Sequence, residues 1–138
     1  MFIAKGEFMI HKDFLEEAIK KFVEGVSKPL EYALLKKDIT HLGEVDDAIA
    51  ELLEMNSAVV MQLAPASLVT MMNLSQVGAS IAQYVAYVLR MEARVYERTQ
   101  NLELSSLRLG QAHAIEQAFD CEADVIPLEF ASLNTKLS

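Results

Sequence analysis

The chain has 138 residues, of which 52% are hydrophobic and 23% are charged, and its formal net charge is −8. This composition indicates a single globular domain over residues 1–138 and excludes an intrinsically disordered chain. The acidic balance argues against nucleic acid or an anionic membrane surface as a partner, because both are bound through basic patches.

The first predicted helix runs from about His11 to Gly25, where apolar residues recur every three or four positions. The residues ahead of it contain no apolar core followed by a cleavage site, so we expect no secretion signal. Met9 could be an alternative start, and residues 1–8 are therefore expected to be disordered or dispensable. A second, shorter helix is predicted to start at residues 27–29, because Pro29 suits the first position of a helix.

The third predicted helix begins between Glu44 and Asp47, where acidic side chains favour the positive end of the helix dipole. Its apolar stripe continues to Leu63, and Pro65 is expected to end or kink it. Residues 67–72 could form one more turn.

Two longer helices are predicted next, over about residues 76–100 and 103–120. They are followed by a C-terminal tail, residues 121–138, in which residues 128–133 could form a short helix or an extended arm. No alternation of apolar and polar residues persists over six positions, so strands are not expected. We therefore predict an all-α fold, a helical bundle of four to six helices.

No Asp, Glu, Lys or Arg occurs from Met55 to Leu89, and we name residues 55–89 the charge-free segment. Surface helices of a monomer usually carry charges on their solvent side. The segment could be a hairpin buried within one chain, a subunit interface, or a membrane insertion. Membrane insertion is disfavoured, because Pro65 and a turn at residues 73–76 interrupt the apolar stretches.

An interface with a second copy is the favoured explanation, because a helical homodimer buries an apolar side that is left over after core packing. The residues predicted to form this interface are Val59, Val60, Leu63, Leu68, Met71, Met72, Val77, Ile81 and Tyr84. Small residues at positions 78, 79, 82 and 86 would let another helix approach closely, and there we favour tight packing within one chain.

Two groups of residues could carry chemistry, and we assign neither to a site. His113 and Glu116 have the three-residue spacing used by di-iron bundles, but the chain contains one such pair and only three histidines. Cys121 is the only cysteine, and nearby acidic residues would raise its pKa. We therefore expect a reducing, cytoplasmic location, with no metal, no cofactor and no catalytic residue.

The fourth and fifth predicted helices, with Leu102, Phe119 and Pro127 near characteristic offsets, resemble a tetratricopeptide-type helix pair. The whole layout, with its amphipathic first helix, resembles uncharacterised bacterial all-helical proteins that have such a pair in their second half. The resemblance implies an all-α fold and no particular activity.

We predict a non-enzymatic helical interaction or assembly protein that forms a homo-oligomer, with itself or another protein as partner. One alternative is a small-ligand or peptide-binding protein, whose pocket would be lined by methionines and by Tyr84, Tyr87 and Tyr96. The other is a metal-dependent enzyme that uses His113 and Glu116.

Overall fold

The computed structural model describes residues 5–75, 77–123 and 125–137, with side chains from Phe14 onward. Its helices are α1 (Lys5–Lys36), α2 (Leu42–Leu52), α3 (Ser57–Val60), α4 (Pro65–Leu74), α5 (Gly78–Arg98), α6 (Leu102–Ala118) and α7 (Ala131–Leu137), with a 3-10 turn at Leu128–Phe130. These residues contain no strand, and the predicted all-α class is confirmed.

Helix α1 is one continuous helix of 32 residues, so the predicted break at residues 27–29 is wrong. Pro29 lies inside it and cannot donate to the carbonyl of Gly25, a defect that costs about 3 kcal/mol in a helix interior. The helix persists because the turns on both sides of the proline are anchored in the core, where Val26, Leu30 and Ala33 are fully buried. Burial of these side chains outweighs the lost hydrogen bond.

The start of α1 bears on the prediction for residues 1–8. Residues 5–8 belong to the first turns of α1, whereas residues 1–4 lie outside the described residues.

The third predicted helix is interrupted, so the prediction that it continues to Leu63 is wrong. Glu54 follows α2 with a positive φ of 56°, a conformation that stops a helix. Asn56 then caps α3, and its side-chain oxygen accepts a hydrogen bond of 2.8 Å from the N–H of Ala58. Pro65 occupies the first turn of α4, and the extra turn predicted at residues 67–72 is part of this ten-residue helix.

Helices α5 and α6 agree with the fourth and fifth predicted helices to within about two residues at each described end. Residue 76, where the fourth was predicted to start, lies outside the described residues. The two helices pack as an antiparallel hairpin, and α5 also contacts α1 and α4. The C-terminal tail returns to the core, where Phe130 is buried and its ring stacks on Tyr87 with a centroid distance of 4.8 Å.

Among the described residues, four helices end with a residue other than glycine in the left-handed conformation, and these residues are Lys37, Glu54, Gln100 and Asp120. After α5, for example, the N–H of Gln100 donates to the carbonyl of Glu97, and the N–H of Asn101 donates to that of Tyr96 over 2.8 Å. This pair of bonds is a Schellman motif, in which glycine usually occupies the left-handed position.

We expect Gln100→Gly to stabilise the fold by about 0.5–1 kcal/mol, because glycine adopts a positive φ without the steric cost of a Cβ. The matched control is Arg94→Gly, which places glycine at an exposed position inside the same helix and should cost about 1 kcal/mol. Urea denaturation of both variants measures the two effects. A loss of stability in the Gln100 variant would contradict this account of the helix end.

Candidate functional site

A buried polar cluster joins α2, α5 and α6 around the guanidinium group of Arg108. Arg108 Nε donates to Glu92 Oε1 over 2.7 Å, and its Nη1 donates to the carbonyl of Met61 over 2.6 Å. Nη2 lies 3.8 Å from Asp46 Oδ2 on α2. The guanidinium carbon lies 6.0 Å from the ring centroid of Tyr96, within the range of a cation–π contact.

Gln111, one turn after Arg108, extends this cluster to the loop between α3 and α4. Its amide nitrogen donates to the carbonyl of Leu63 over 2.9 Å and to that of Met61 over 3.3 Å. Its amide oxygen accepts a hydrogen bond of 3.2 Å from Arg108 Nη1. Two side chains of α6 therefore satisfy the backbone carbonyls of a loop that lies almost fifty positions earlier in the chain.

The carboxyl groups of Glu92 and Asp46 both belong to this cluster. Glu92 is fully buried, and Glu92 Oε2 and Asp46 Oδ1 are the two buried side-chain oxygens that lack a donor among the described residues. Burial, together with the adjacent carboxylate of Asp46, raises the pKa of Glu92 well above its ordinary value. The raised pKa favours a protonated Glu92, whose hydroxyl can donate to the carboxyl group of Asp46.

Glu92→Gln should therefore change how stability depends on pH. The folded protein holds a proton that the unfolded chain releases above about pH 4.5, the ordinary pKa of the glutamate side chain. The stability that this proton contributes is thus fully present below that pH, and it is lost as pH rises through the raised pKa of folded Glu92. Relative to the variant, whose amide carries no titrating proton, the wild type should lose up to about 1.4 kcal/mol per pH unit in this window.

Urea denaturation between pH 5 and about pH 8 measures this difference for both proteins. Glu97→Gln is the matched control, because Glu97 is an exposed glutamate on the same helix. Parallel stability curves for the wild type and the Glu92 variant would contradict the raised pKa of Glu92.

A second ion pair between α5 and α6 involves Glu116, which the sequence paired with His113 as a possible metal site. Arg90 binds Glu116 with two parallel hydrogen bonds, one of them 2.6 Å from Arg90 Nε to Glu116 Oε2. His113 is exposed, whereas Glu116 is buried and its carboxylate is bound by Arg90. In the described ranges no three His, Cys, Asp or Glu side chains are placed to hold a metal ion.

Cys121 is half-buried just after α6. Burial and the nearby Glu116 and Asp120 carboxylates raise the pKa of its thiol, in the direction that the sequence predicts. A thiol with a raised pKa is a poor nucleophile at neutral pH.

An apolar groove of about 1000 Å³ lies between α1, α2 and the loop that follows α2, and we name it the α1–α2 groove. The large apolar side chains that line it are Phe14, Leu15, Phe22, Leu52, Met55 and Val77. At one point of this groove Gly25 faces Ala48, and a Cβ on Gly25 would lie 4.0 Å from that of Ala48. Phe14 is 69% exposed, which is unusual for a phenylalanine beside an apolar surface.

Charged residues border the α1–α2 groove. Glu17 and Lys21 contribute from α1, Glu51 from α2 and Glu54 from the loop. Three carboxylates and one ammonium group give this border an acidic balance. A partner that carries lysine or arginine beside apolar residues would complement it.

The buried cluster holds one wall of the groove in place. Asp46 and the groove residues Ala48 and Glu51 belong to the same helix, α2, which Arg108 binds from α6. Ser57 adds a second connection, because its hydroxyl donates to Asp47 over 2.8 Å and joins α3 to α2. The α2 wall of the groove is therefore tied to the folded core.

The residues predicted to form a subunit interface divide into two groups. Val60, Leu68, Met72 and Ile81 are buried in the core of the single chain, where they offer no surface to a partner. The exposed members are Val59 and Met71, and the half-buried ones are Leu63, Val77 and Tyr84. Val77 is the one that lines the α1–α2 groove.

Much of the charge-free segment is core of the single chain. From residue 81 to residue 89 it is buried except for Gln83 and Tyr84, and its uncharged polar residues Gln62, Ser67 and Thr70 are exposed. Gly78 is packed against the carbonyl of Met72, so this small residue serves intramolecular packing, as favoured above. None of the helices in the described ranges has an apolar stretch long enough to span a bilayer.

The three tyrosines predicted to line a pocket are largely engaged in the interior. Tyr87 stacks on Phe130, and Tyr96 lies under Arg108. Tyr84 donates to Glu129 over 2.7 Å, and burial together with this contact raises the pKa of its phenol to about 12. The α1–α2 groove is lined by other residues, and these three tyrosines are not among them.

No model of a known protein family matches the chain, and no curated protein and no solved structure is significantly similar to it.

Proposed function

We propose that this chain is a non-enzymatic helical interaction protein that associates with itself. The observation that carries the proposal is the α1–α2 groove, an apolar concavity of about 1000 Å³ with an exposed phenylalanine beside it. Exposed contiguous apolar surface bordered by charged residues is typical of protein interaction sites. The buried ionic groups bind one another and the backbone rather than facing an open cleft, which supports a structural role for them.

Sedimentation velocity of the full chain tests the proposal directly. At concentrations up to tens of micromolar, the weight-average sedimentation coefficient should rise from that of a 15.4 kDa monomer toward that of a dimer. A coefficient that stays at the monomer value over the whole range would overturn self-association.

The volume of the groove favours a second candidate function, the binding of a small apolar ligand or a peptide. Ligand pockets usually measure about 300–1000 Å³ and have apolar walls with a few polar groups. Titration with Nile red, a neutral apolar dye, tests this candidate. Saturable binding with one site per chain that Phe14→Glu weakens would support it, and absence of saturable binding would oppose it.

A further inference from the structure

Helix α1 presents a row of residues beside the groove that has the spacing of a helix-pairing seam. Phe14, Ala18, Lys21 and Gly25 all line the groove, and they follow one another at intervals of four, three and four residues. Such alternation of threes and fours keeps one side of a helix facing a second helix. The row combines one large exposed side chain with two small residues, so a neighbouring helix could approach closely.

We propose that residues 14–25 of a second copy fill the α1–α2 groove, with the two α1 helices antiparallel about a two-fold axis. This inference rests on the self-association proposed above and names its surface. It also excludes the exposed face of α3 and α4 as the principal contact.

The distribution of charge selects α1 of a second copy as the occupant. Helix α1 contains six lysines and six acidic residues, so its net charge is zero, whereas the rest of the chain has six basic and fourteen acidic residues and carries the whole net charge of −8. The groove border is itself acidic, with Glu51 and Glu54 opposite α1. The charged residues of the segment 14–25 are Glu16, Glu17, Lys20, Lys21 and Glu24. Its Lys21 can pair with the Glu17 of the border and its Glu17 with the Lys21 of the border, so the segment complements the α1 side of the border.

The two-fold arrangement is self-complementary along α1. In a symmetric pair, residue i of one copy meets residue j of the other, and the reverse contact follows. An axis near residues 19 and 20 places Phe14 of each copy beside Gly25 of the other, where no side chain obstructs the ring. The same axis places Glu17 of each copy beside Lys21 of the other, which gives two ion pairs of opposite charge.

Charge exchange between two variants tests this arrangement. Glu17→Lys alone should place like charges together at both pairs, and so should Lys21→Glu alone, so each variant should self-associate roughly tenfold more weakly than the wild type. A mixture of the two variants restores an opposite charge at every pair and should form a heterodimer of near wild-type affinity. Failure of the mixture to recover affinity would overturn the antiparallel arrangement, because a loss of helix stability within each chain would not be rescued by mixing.

A second pair of variants separates this inference from the proposed function. Phe14→Glu should leave the chain folded by circular dichroism and reduce self-association at least tenfold. Val59→Glu, at a residue 55% exposed on α3, should leave self-association within about twofold of the wild type. Self-association that is lost in the Val59 variant and kept in the Phe14 variant would overturn the groove as the interface while self-association itself stands. A wild type that remains monomeric would overturn both.

Discussion

Arg108→Met is expected to lower the free energy of unfolding by about 3–5 kcal/mol, the usual cost of breaking a buried ion pair from one side. The substitution removes the donor to Glu92 and the shorter of the two hydrogen bonds to the carbonyl of Met61, and it leaves the carboxylate of Asp46 without its cation. Methionine can fill the volume, but it cannot satisfy any of these oxygens. Chemical denaturation measured by circular dichroism gives the loss.

The matched control is Arg94→Met, which removes an arginine from an exposed position of α5 and should change stability by less than about 0.5 kcal/mol. A loss of under about 1 kcal/mol in the Arg108 variant would mean that the cluster contributes no more than a surface pair. The same variant should also loosen the loop between α3 and α4. Amide exchange at Leu63 and neighbouring residues would then accelerate more than exchange in α1.

Gly78→Ala is expected to cost about 3 kcal/mol, the upper part of the usual range for overpacking a core. A Cβ at this position would lie 2.2 Å from the carbonyl oxygen of Met72 and 3.5 Å from the ring of Phe119. The obstacle at 2.2 Å is backbone, so no side-chain rotation can relieve it, and the connection between α4 and α5 would have to shift.

Gly43→Ala provides the contrast for Gly78→Ala. A Cβ on Gly43 would meet nothing within 4 Å, and the residue lies in the first turn of α2. Alanine there should stabilise the chain by about 0.5–1 kcal/mol, because its unfolded state is less flexible than that of glycine. Thermal denaturation should therefore move the two variants in opposite directions, and a shift in the same direction would contradict the steric explanation.

Periodicity of apolar residues predicted the long helices well. Helices α5 and α6 follow stripes such as Ile81, Val85 and Val88, which are fully buried, and their described ends agree closely with the prediction. Tertiary burial decides the rest. Pro29 predicts a helix start in the sequence, yet α1 continues past it because residues on both sides of the proline are buried in the core.

Helix ends were harder to predict, because this chain does not mark them with glycine. Glu54 and Asp120 take the left-handed conformation that glycine usually takes, and no described glycine has a positive φ. A glutamate inside an apolar stripe gives no stop signal, so the sequence predicted one helix where the structure has α2, a turn and α3. The break is visible only once the Schellman bonds, such as that from Met55 to the carbonyl of Ala50, are known.

The polar cluster was missed for a related reason. Arg108 and Gln111 lie on the same side of α6 as the fully buried Ala112 and Ile115, so a signal existed in their spacing. The apolar Leu104 on the same helix is 38% exposed, so hydrophobicity alone does not mark the buried side of α6. Pairing Arg108 with Glu92 and Asp46 needs the packing of three helices, which one sequence does not specify.

The raised pKa of buried Glu92 couples folding to the uptake of a hydrogen ion. Between the ordinary pKa of 4.5 and the raised pKa of the folded state, the unfolded chain carries an ionised Glu92, so folding takes a proton from the medium. The heat of unfolding should then depend on the ionisation enthalpy of the buffer that receives that proton. Phosphate and Tris differ strongly in this enthalpy, and they would report different calorimetric heats for the same structural transition.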